Sequence, residues 1–243
     1  MVKLVHSFEG ECYLSGISLQ IKEKEFVSIV GPSGCGKSTL FNLISGLLAP
    51  DSGTITLDGR IINGQTGLVS YMQQKDLLLP WLNIRDNVSL PLRIRGESAA
   101  AARKKVNELL PRFGLIEFGD HFPSQLSGGM RQRAALLRTY LHSSRVLLLD
   151  EPFAALDYIT RTRMAAWLKE IVRQLDLTVL FVTHDIDEAL FLSDRVAVLN
   201  GRPAVIVKEY QEYFPAERSR DLMTSAEFII MKREIQELLS EYC

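Results

Sequence analysis

Gly31-Pro32-Ser33-Gly34-Cys35-Gly36-Lys37-Ser38 has the residue types and spacing of a phosphate cradle. Its glycines let successive backbone N–H groups turn inward on phosphate oxygens, and a helix beginning at Lys37 adds the positive end of its dipole. Lys37 has the reach and charge to hold the outer phosphates of a nucleoside triphosphate, and the Ser38 hydroxyl suits a Mg²⁺ ion. Thr39 follows and completes the phosphate-facing set, while Cys35 occupies a free position of the pattern and reads as a small filler rather than a redox sensor.

A second source of chemistry is Val146-Leu147-Leu148-Leu149-Asp150-Glu151, an apolar run that ends in two acids. Ligands of α/β sheets collect at the carboxyl ends of strands. Asp150 is placed to hold magnesium, directly or through a water, and Glu151 to polarise the water that attacks the outer phosphate. A similar run, Thr178–Val182, leads into Thr183-His184-Asp185. His184 is a candidate contact for the γ-phosphate and the water, although a lone histidine after a strand is more often a loop or cap residue. The third source is Leu126-Ser127-Gly128-Gly129-Met130-Arg131-Gln132-Arg133. Ser127 reads as an N-cap, and Gly128 and Gly129 expose N–H groups at a helix start, an anion site built without a lysine. One loop already cradles one nucleotide, so this corner needs another phosphate. A two-fold dimer supplies it if each chain's Ser127 end covers the γ-phosphate held by its partner's Lys37. The alternative is an ordinary helix cap.

These groups need a scaffold, and the chain can build one. It has 243 residues, 47% of them hydrophobic, enough to bury a core. Short strands are expected at Val2–Phe8, Ile17–Ile21, Phe26–Val30, Thr54–Leu57 and Leu68–Tyr71, with a helix from Lys37 to about Leu48 closed by Pro50-Asp51-Ser52-Gly53. From about 82 to 145 the pattern turns helical. The clearest segment is capped by Ser98, carries Val106, Leu109, Leu110 and Phe113 on one face, and stops at Gly114. Runs without alternation at 146–149 and 178–182 suit parallel strands buried on both faces. Near the end, Thr224 and Glu227 form a capping box ahead of the stripe Phe228, Met231, Ile235, Leu238 and Leu239.

Lys and Arg total 28 against 29 for Asp and Glu, a net charge of -1 that gives no electrostatic reason to expect nucleic acid or an anionic membrane. Apolar stretches fall short of the ~18 residues of a membrane span, and the first eleven residues lack a signal peptide's apolar region. Three widely spaced cysteines fit a reducing compartment. The chain reads as soluble and cytoplasmic.

With its motifs in this order, the sequence resembles the nucleotide-binding subunit of ATP-binding cassette (ABC) transporters over nearly its whole length. That family runs phosphate loop, glutamine loop, LSGGQ signature, acidic strand end, D-loop and histidine switch, and each has a counterpart here, ending with Ala155-Leu156-Asp157 and His184. The resemblance implies a P-loop NTPase fold of the ABC ATPase type: an α/β domain with a mainly parallel core sheet, an N-terminal antiparallel β lobe and an inserted helical lobe over about 82–145. It implies one cassette over 1–243 without a separate regulatory domain. It also implies an aromatic stacked on adenine, Phe8 by spacing with Tyr13 as second choice. Asp157 would join the nucleotide-contacting residues, and a glutamine would join the magnesium shell. Alignment on Leu78-Leu79-Pro80-Trp81 favours Gln74 over the adjacent Gln73 for that glutamine. Met130 departs from the family's glutamine but leaves the serine and glycines in place.

The Leu-Leu-Pro-Trp segment, the LSGGMRQR signature and Glu151-Pro152-Phe153 are similar to one import branch, serving nitrate, sulfonate, taurine and thiamine-precursor uptake. The resemblance implies ATP and Mg²⁺ as cofactors and an ATP-dependent homodimer. Its partner is a separate transmembrane permease, fed by a substrate-binding protein, at the cytoplasmic face of the membrane. An exposed Leu-Leu-Pro-Trp would form part of a groove for a short permease helix. Competing readings are a soluble ABC ATPase acting on nucleic acid or ribosomes, and an exporter or lipoprotein-release ATPase. The first lacks its usual coiled coil, paired cassettes or basic surface here; the second is opposed by the Leu-Pro-Trp and signature details.

Overall fold

The computed structural model describes residues 1–142, 145–211, 214, 218 and 220–240. In chain order the strands are β1 Val2–Phe8, β2 Glu11–Ile17, β3 Phe26–Val30, β4 Ser52–Thr54, β5 Thr56–Leu57, β6 Arg60–Ile61, β7 Ser70–Met72, β8 Val146–Asp150, β9 Thr178–Thr183, β10 Arg195–Asn200 and β11 Val205–Gln211. The α-helices are α1 Lys37–Ile44, α2 Ile84–Ile94, α3 Ala99–Leu109, α4 Gly128–Tyr140, α5 Tyr158–Gln174, α6 Ile186–Leu192 and α7 Ala226–Ser240.

The central sheet has six strands in the order β11-β10-β3-β9-β8-β7. All its pairs are parallel except the edge pair of β10 with β11. Strands β3 and β9 are buried along their whole length, as expected of runs that meet helices on both faces. β1, β2 and β4 form a separate antiparallel sheet in the N-terminal part. Helices α2, α3 and α4 lie between β7 and β8 in the chain, and their Ile84, Leu92, Val106 and Leu137 share one core cluster with Leu147 and Phe181 of the sheet. The mainly parallel α/β architecture with an antiparallel N-terminal sheet is the expected fold class.

Several expected boundaries move, each for a tertiary reason. The second strand is Glu11–Ile17 rather than Ile17–Ile21, because Phe8 and Glu11 pair across a tight turn at Glu9 and Gly10. Leu19 is apolar because it is buried beneath the sheet, its N–H bound to the Met1 carbonyl. Helix α1 ends at Ile44, short of Leu48. Gly46 there has φ 78°, and a Cβ would lie 2.2 Å from the Gln65 carbonyl oxygen. The expected strand at Thr54–Leu57 is two strands, β4 pairing with β1 and β5 with β6. Near the end of the chain, Ser225 rather than Thr224 caps α7, accepting the Phe228 N–H at 3.3 Å, while Thr224 donates to the Asp221 carbonyl. Ser98 does cap α3, accepting from Ala101 N. Among the described residues no helix is long and apolar enough to cross a membrane.

Candidate nucleotide site

The loop Gly31–Gly36 leaves the carboxyl end of β3 in the middle of the sheet. Its glycines answer close approaches as well as phosphate geometry. A Cβ on Gly31 would stand 2.5 Å from the Leu199 carbonyl oxygen, and Gly36, at φ 101°, lies against Leu14 of β2. Cys35 is buried, and burial pushes its thiol pKa up, which fits a packing role. Pro32 is half-buried, whereas Ser33, Gly34 and Ser38 are exposed. Thr39 is half-buried on the first turn of α1. The Lys37 ammonium is held at the mouth of its own loop, donating to the Gly31 and Pro32 carbonyls at 2.9 Å each.

The two acids end β8, one strand beyond β9 from the loop. Asp150 is buried and accepts from the Tyr71 hydroxyl at 3.1 Å. Burial raises its pKa, and hydrogen bonds from Ser38 and Tyr71 oppose that rise. Burial, together with the Asp150 charge, pushes the Tyr71 phenol up as well. Glu151 has φ 43°, a left-handed conformation uncommon outside glycine, and its N–H binds the Val182 carbonyl. That turn sends the carboxylate back over the sheet end. Glu151 Oε2 lies 2.9 Å from His184 Nδ1, and Oε1 lies 3.9 Å from Lys37 Nζ. Lys37, Glu151 and His184 therefore form one cluster, with Ser38, Asp150 and Tyr71 beside it.

The donor set next to Lys37 fits magnesium. Ser38 and Asp150 present hard oxygens, and among the described residues no group of three His, Cys, Asp or Glu side chains could hold a metal alone. Mg²⁺ is commonly held this way, by one or two carboxylates plus substrate phosphates. Gln74 is exposed in the loop after β7, and among the described residues no hydrogen bond joins it to Ser38 or Asp150. Gln73 instead lines a groove on the side of α2.

The remaining site residues stand apart. Ser127 caps α4, accepting the Met130 N–H at 3.4 Å. Gly128 approaches Leu156, and Gly129 approaches Thr160 and Met164. Asp157 is exposed and caps α5 through the Thr160 N–H. Thus Ser127, Gly128 and Asp157 lie at the starts of α4 and α5, with Gly129 buried against α5, while Lys37, Glu151 and His184 form their own cluster.

Beside the phosphate loop lies a cleft of 560 Å³ lined by Glu11, Tyr13, Gly34, Cys35 and Arg202. Tyr13 is thus in the lining; Phe8 pairs with Glu11 at the end of β1 and exposes 58% of its surface. Arg202 and Tyr71 are residues that sequence reasoning missed as site candidates. Arg202 sits in the β10–β11 turn with Nη2 4.0 Å from where a Gly34 Cβ would be. The Gly201-Arg202-Pro203 turn after an apolar strand was the available signal.

Behind His184, Glu188 is buried and accepts from the Thr183 hydroxyl at 2.7 Å. Its pKa is pushed up to about 7, by burial first. The Asp185 charge adds to the rise; the Thr183 hydrogen bond, Arg161 and His184 oppose it. A carboxyl raised in the folded state contributes stability that is full below its unfolded pKa of about 4.5 and lost as pH climbs to about 7. The wild-type chain is therefore expected to lose on the order of 2 kcal/mol between pH 5 and 8 that Glu188→Gln does not lose. Urea titrations at both pH values test this; parallel losses in the two proteins would acquit Glu188.

An apolar groove of 460 Å³ opens on the other side, lined by Leu47, Gln73, Leu77, Pro91, Ile94 and Arg138 among others. Of the expected Leu-Leu-Pro-Trp wall, Leu78 is buried in the core, its neighbour Leu79 tied back onto α2 by the Asn87 amide, whereas Pro80 and Trp81 are exposed, Trp81 by 69%, outside the lining of this groove.

The ABC transporter family profile matches residues 14–154. The formylaminopyrimidine import ATP-binding protein ThiZ of Halalkalibacterium halodurans is 44% identical, covering 99% of this chain and 98% of its own. The taurine import ATP-binding protein TauB of Pseudomonas aeruginosa is 41% identical, covering 94% and 88%. Among solved structures, the dimeric post-hydrolysis state of the cassette MJ0796 with ADP and Pi is similar at TM-score 0.73 and 32% identity, covering 88% of this chain and 97% of that one. CbiO1 of Clostridium perfringens, part of the ABC transporter complex cbiONQ, has TM-score 0.81 and 26% identity, covering 98% and 97%.

Proposed function

Because the chain belongs to the ABC transporter family, as an import subunit that binds ATP and couples its hydrolysis to transport, we propose how its own residues divide that work. Lys37 and the backbone N–H groups of Ser33–Ser38 and Thr39, with Gly31 and Pro32 shaping the turn, hold the triphosphate. Ser38 and Asp150 would hold Mg²⁺, with Gln74 the further candidate ligand. The bound ion would supply charge neutralisation across the outer phosphates. Glu151 orients the attacking water and accepts its proton, and His184 fixes the Glu151 carboxylate through the 2.9 Å contact. The adenine stacks on an aromatic of the β1–β2 hairpin, Phe8 or Tyr13, with Arg202 at the cleft rim.

The observation that carries this reading is the separation of the site into two surfaces. Ser127 caps the start of α4, and among the described residues no hydrogen bond or ion pair joins it to the Lys37–Glu151–His184 cluster, so a second copy would bring the phosphate to it. The working unit is a homodimer that closes on ATP and opens after hydrolysis, converting binding energy into movement of a permease. Ser127→Arg is expected to leave ATP affinity of a single chain within about two-fold and to abolish the ATP-bound dimer in size-exclusion chromatography. Equal loss of both properties would contradict the split site.

The permease is proposed to dock a short helix in the groove beside α2, at the cytoplasmic face, with a substrate-binding protein acting through the permease. The groove is apolar, and Ile94 on its wall is 82% exposed. When the chain is co-expressed with its cognate permease, the expected result is co-sedimentation with membranes. Ile94→Glu should lose at least about tenfold of that association, since a buried charge opposes docking, while ATP hydrolysis in the soluble fraction persists. A wild-type chain that stays wholly in the supernatant and binds nucleic acid instead would overturn the importer role.

A further inference from the structure

Arg161 is a side chain that the hydrolytic roles above leave unused, although it touches both the Leu156–Asp157 segment and the residues that follow His184. It projects from the first turn of α5, where its own N–H closes the helix on the Asp157 carbonyl at 2.8 Å. Its Nη2 donates to the carbonyl of Leu156, the residue before the α5 cap, at 3.0 Å. Leu156 lies outside the helix, so without Arg161 that half-buried carbonyl has no helical donor. Nη1 meets Asp185 Oδ2 at 3.4 Å, across a gap of twenty-four residues. The other oxygen of the same carboxylate caps α6, accepting from Asp187 N at 2.9 Å and Glu188 N at 3.2 Å. Arg161 Nε faces Glu188 Oε1 at 3.6 Å, near enough for an ion pair, and is itself buried without a hydrogen-bond partner among the described residues.

These contacts enclose His184 from both sides. Thr183, before it, donates its hydroxyl to Glu188 and accepts the N–H of Asp185, after it. The His184 backbone is thus flanked by two residues that are each bonded into the Arg161–Glu188 pair, while its ring reaches Glu151 from a half-exposed position. Charge-assisted contacts of this kind are directional, and misplacement of a catalytic group by an ångström lowers turnover strongly.

We propose that Arg161, backed by Glu188, is a positioning residue that couples the Leu156–Asp157 segment to the His184 loop. The inference rests on the reading of Glu151 and His184 as the hydrolytic pair and of Asp157 as part of the surface that meets the second copy. When that surface is engaged, the Leu156 carbonyl shifts, the guanidinium follows it, and Asp185 and Glu188 carry the movement to His184. Docking of the dimer is thereby reported to the water-activating carboxylate inside each chain. Arg161 touches neither nucleotide nor water; its effect passes entirely through the loop it holds.

The test compares Arg161→Met, which keeps length and removes charge, with Arg161→Lys, each measured in full-length protein. Arg161→Met is expected to lower kcat about tenfold with KM for ATP within two-fold, and Arg161→Lys to recover part of that loss. Combined with Glu151→Gln, Arg161→Met should still give the ATP-bound dimer. Combined with His184→Ala, it should add little to the loss caused by His184→Ala alone, because both act through one group. The chain has four histidines, so the His184 ring resonance can be assigned by its disappearance in His184→Ala. Arg161→Met should move that resonance and leave those of His6 and His121 in place. If Arg161→Met folds poorly, Arg161→Gln, which also removes the charge, carries the same comparison. A normal kcat together with an unmoved His184 resonance in the charge-removing variant overturns the coupling while leaving the hydrolytic pair intact. A normal kcat in His184→Ala would instead remove the hydrolytic reading on which it rests.

Discussion

Glu151→Gln is expected to stop turnover and yet leave ATP bound. The amide keeps the size of the side chain and can still meet His184, but it has no charge with which to orient a water or take its proton. Loss of a general base commonly lowers kcat by about 10²- to 10⁴-fold. The proposed triphosphate contacts come from other groups, the loop N–H donors and Lys37, with Ser38 and Asp150 assigned to the magnesium. Affinity should therefore stay within a few-fold of wild type, and a closed dimer that cannot hydrolyse its ATP should persist. Single-turnover hydrolysis and size-exclusion chromatography with ATP and magnesium read the two halves of this expectation. Hydrolysis at the wild-type rate would show that the carboxylate at the end of β8 is not the base.

Lys37→Ala should have the opposite signature, with nucleotide binding lost first. The ammonium is buried and already makes two charge-assisted bonds, to the Gly31 and Pro32 carbonyls. In the proposed site, nucleotide binding would exchange those bonds for phosphate oxygens, which are stronger acceptors. Such bonds contribute about 1.5–3 kcal/mol each, so removing the donor should weaken ATP binding by at least ~10²-fold. The variant also strips the ion-pair partner from Glu151, 3.9 Å away, which leaves two like-charged acids beside each other at the strand end. Calorimetric titration with ATP measures the first effect. Binding within three-fold of wild type would exclude the ammonium from the phosphate site.

The two variants separate holding from hydrolysing because the fold places those tasks on different strands. Lys37 follows β3, Glu151 follows β8, and β9 lies between them carrying His184. Parallel strands bring all three carboxyl ends to one edge, so residues 114 and 147 positions apart from Lys37 in the chain meet it within one cluster.

Some of this could be read without coordinates. The phosphate loop is local: its glycines, lysine and serine act within eight residues, and their spacing alone states the chemistry. Uninterrupted apolar runs ending in Asp150-Glu151 and Thr183-His184 declared buried parallel strands with polar tips. Ser98 and Ser127 declared helix starts, since a capping hydroxyl acts on an N–H three residues away. What distant segments impose was not legible. Nothing near Tyr71 announces that its hydroxyl meets Asp150, 79 residues later. The apolar Leu78 reads equally as an exposed docking residue or as core until the Asn87 amide is seen folding its neighbour Leu79 onto α2. Leu19 resembled a strand residue because burial, whatever its cause, selects the same side chains.

Chain chemistry alone thus pointed to a nucleoside triphosphate and to the residues that carry charge, since each of those depends on donors and acceptors held within a turn or two of backbone, while the family resemblance supplied ATP. Packing decided which of them touch, where the groove opens, and that Arg161 binds the α5 start to the His184 loop. Such contacts join positions tens of residues apart, and their geometry exists only after the core has fixed the strand order and the helix approach.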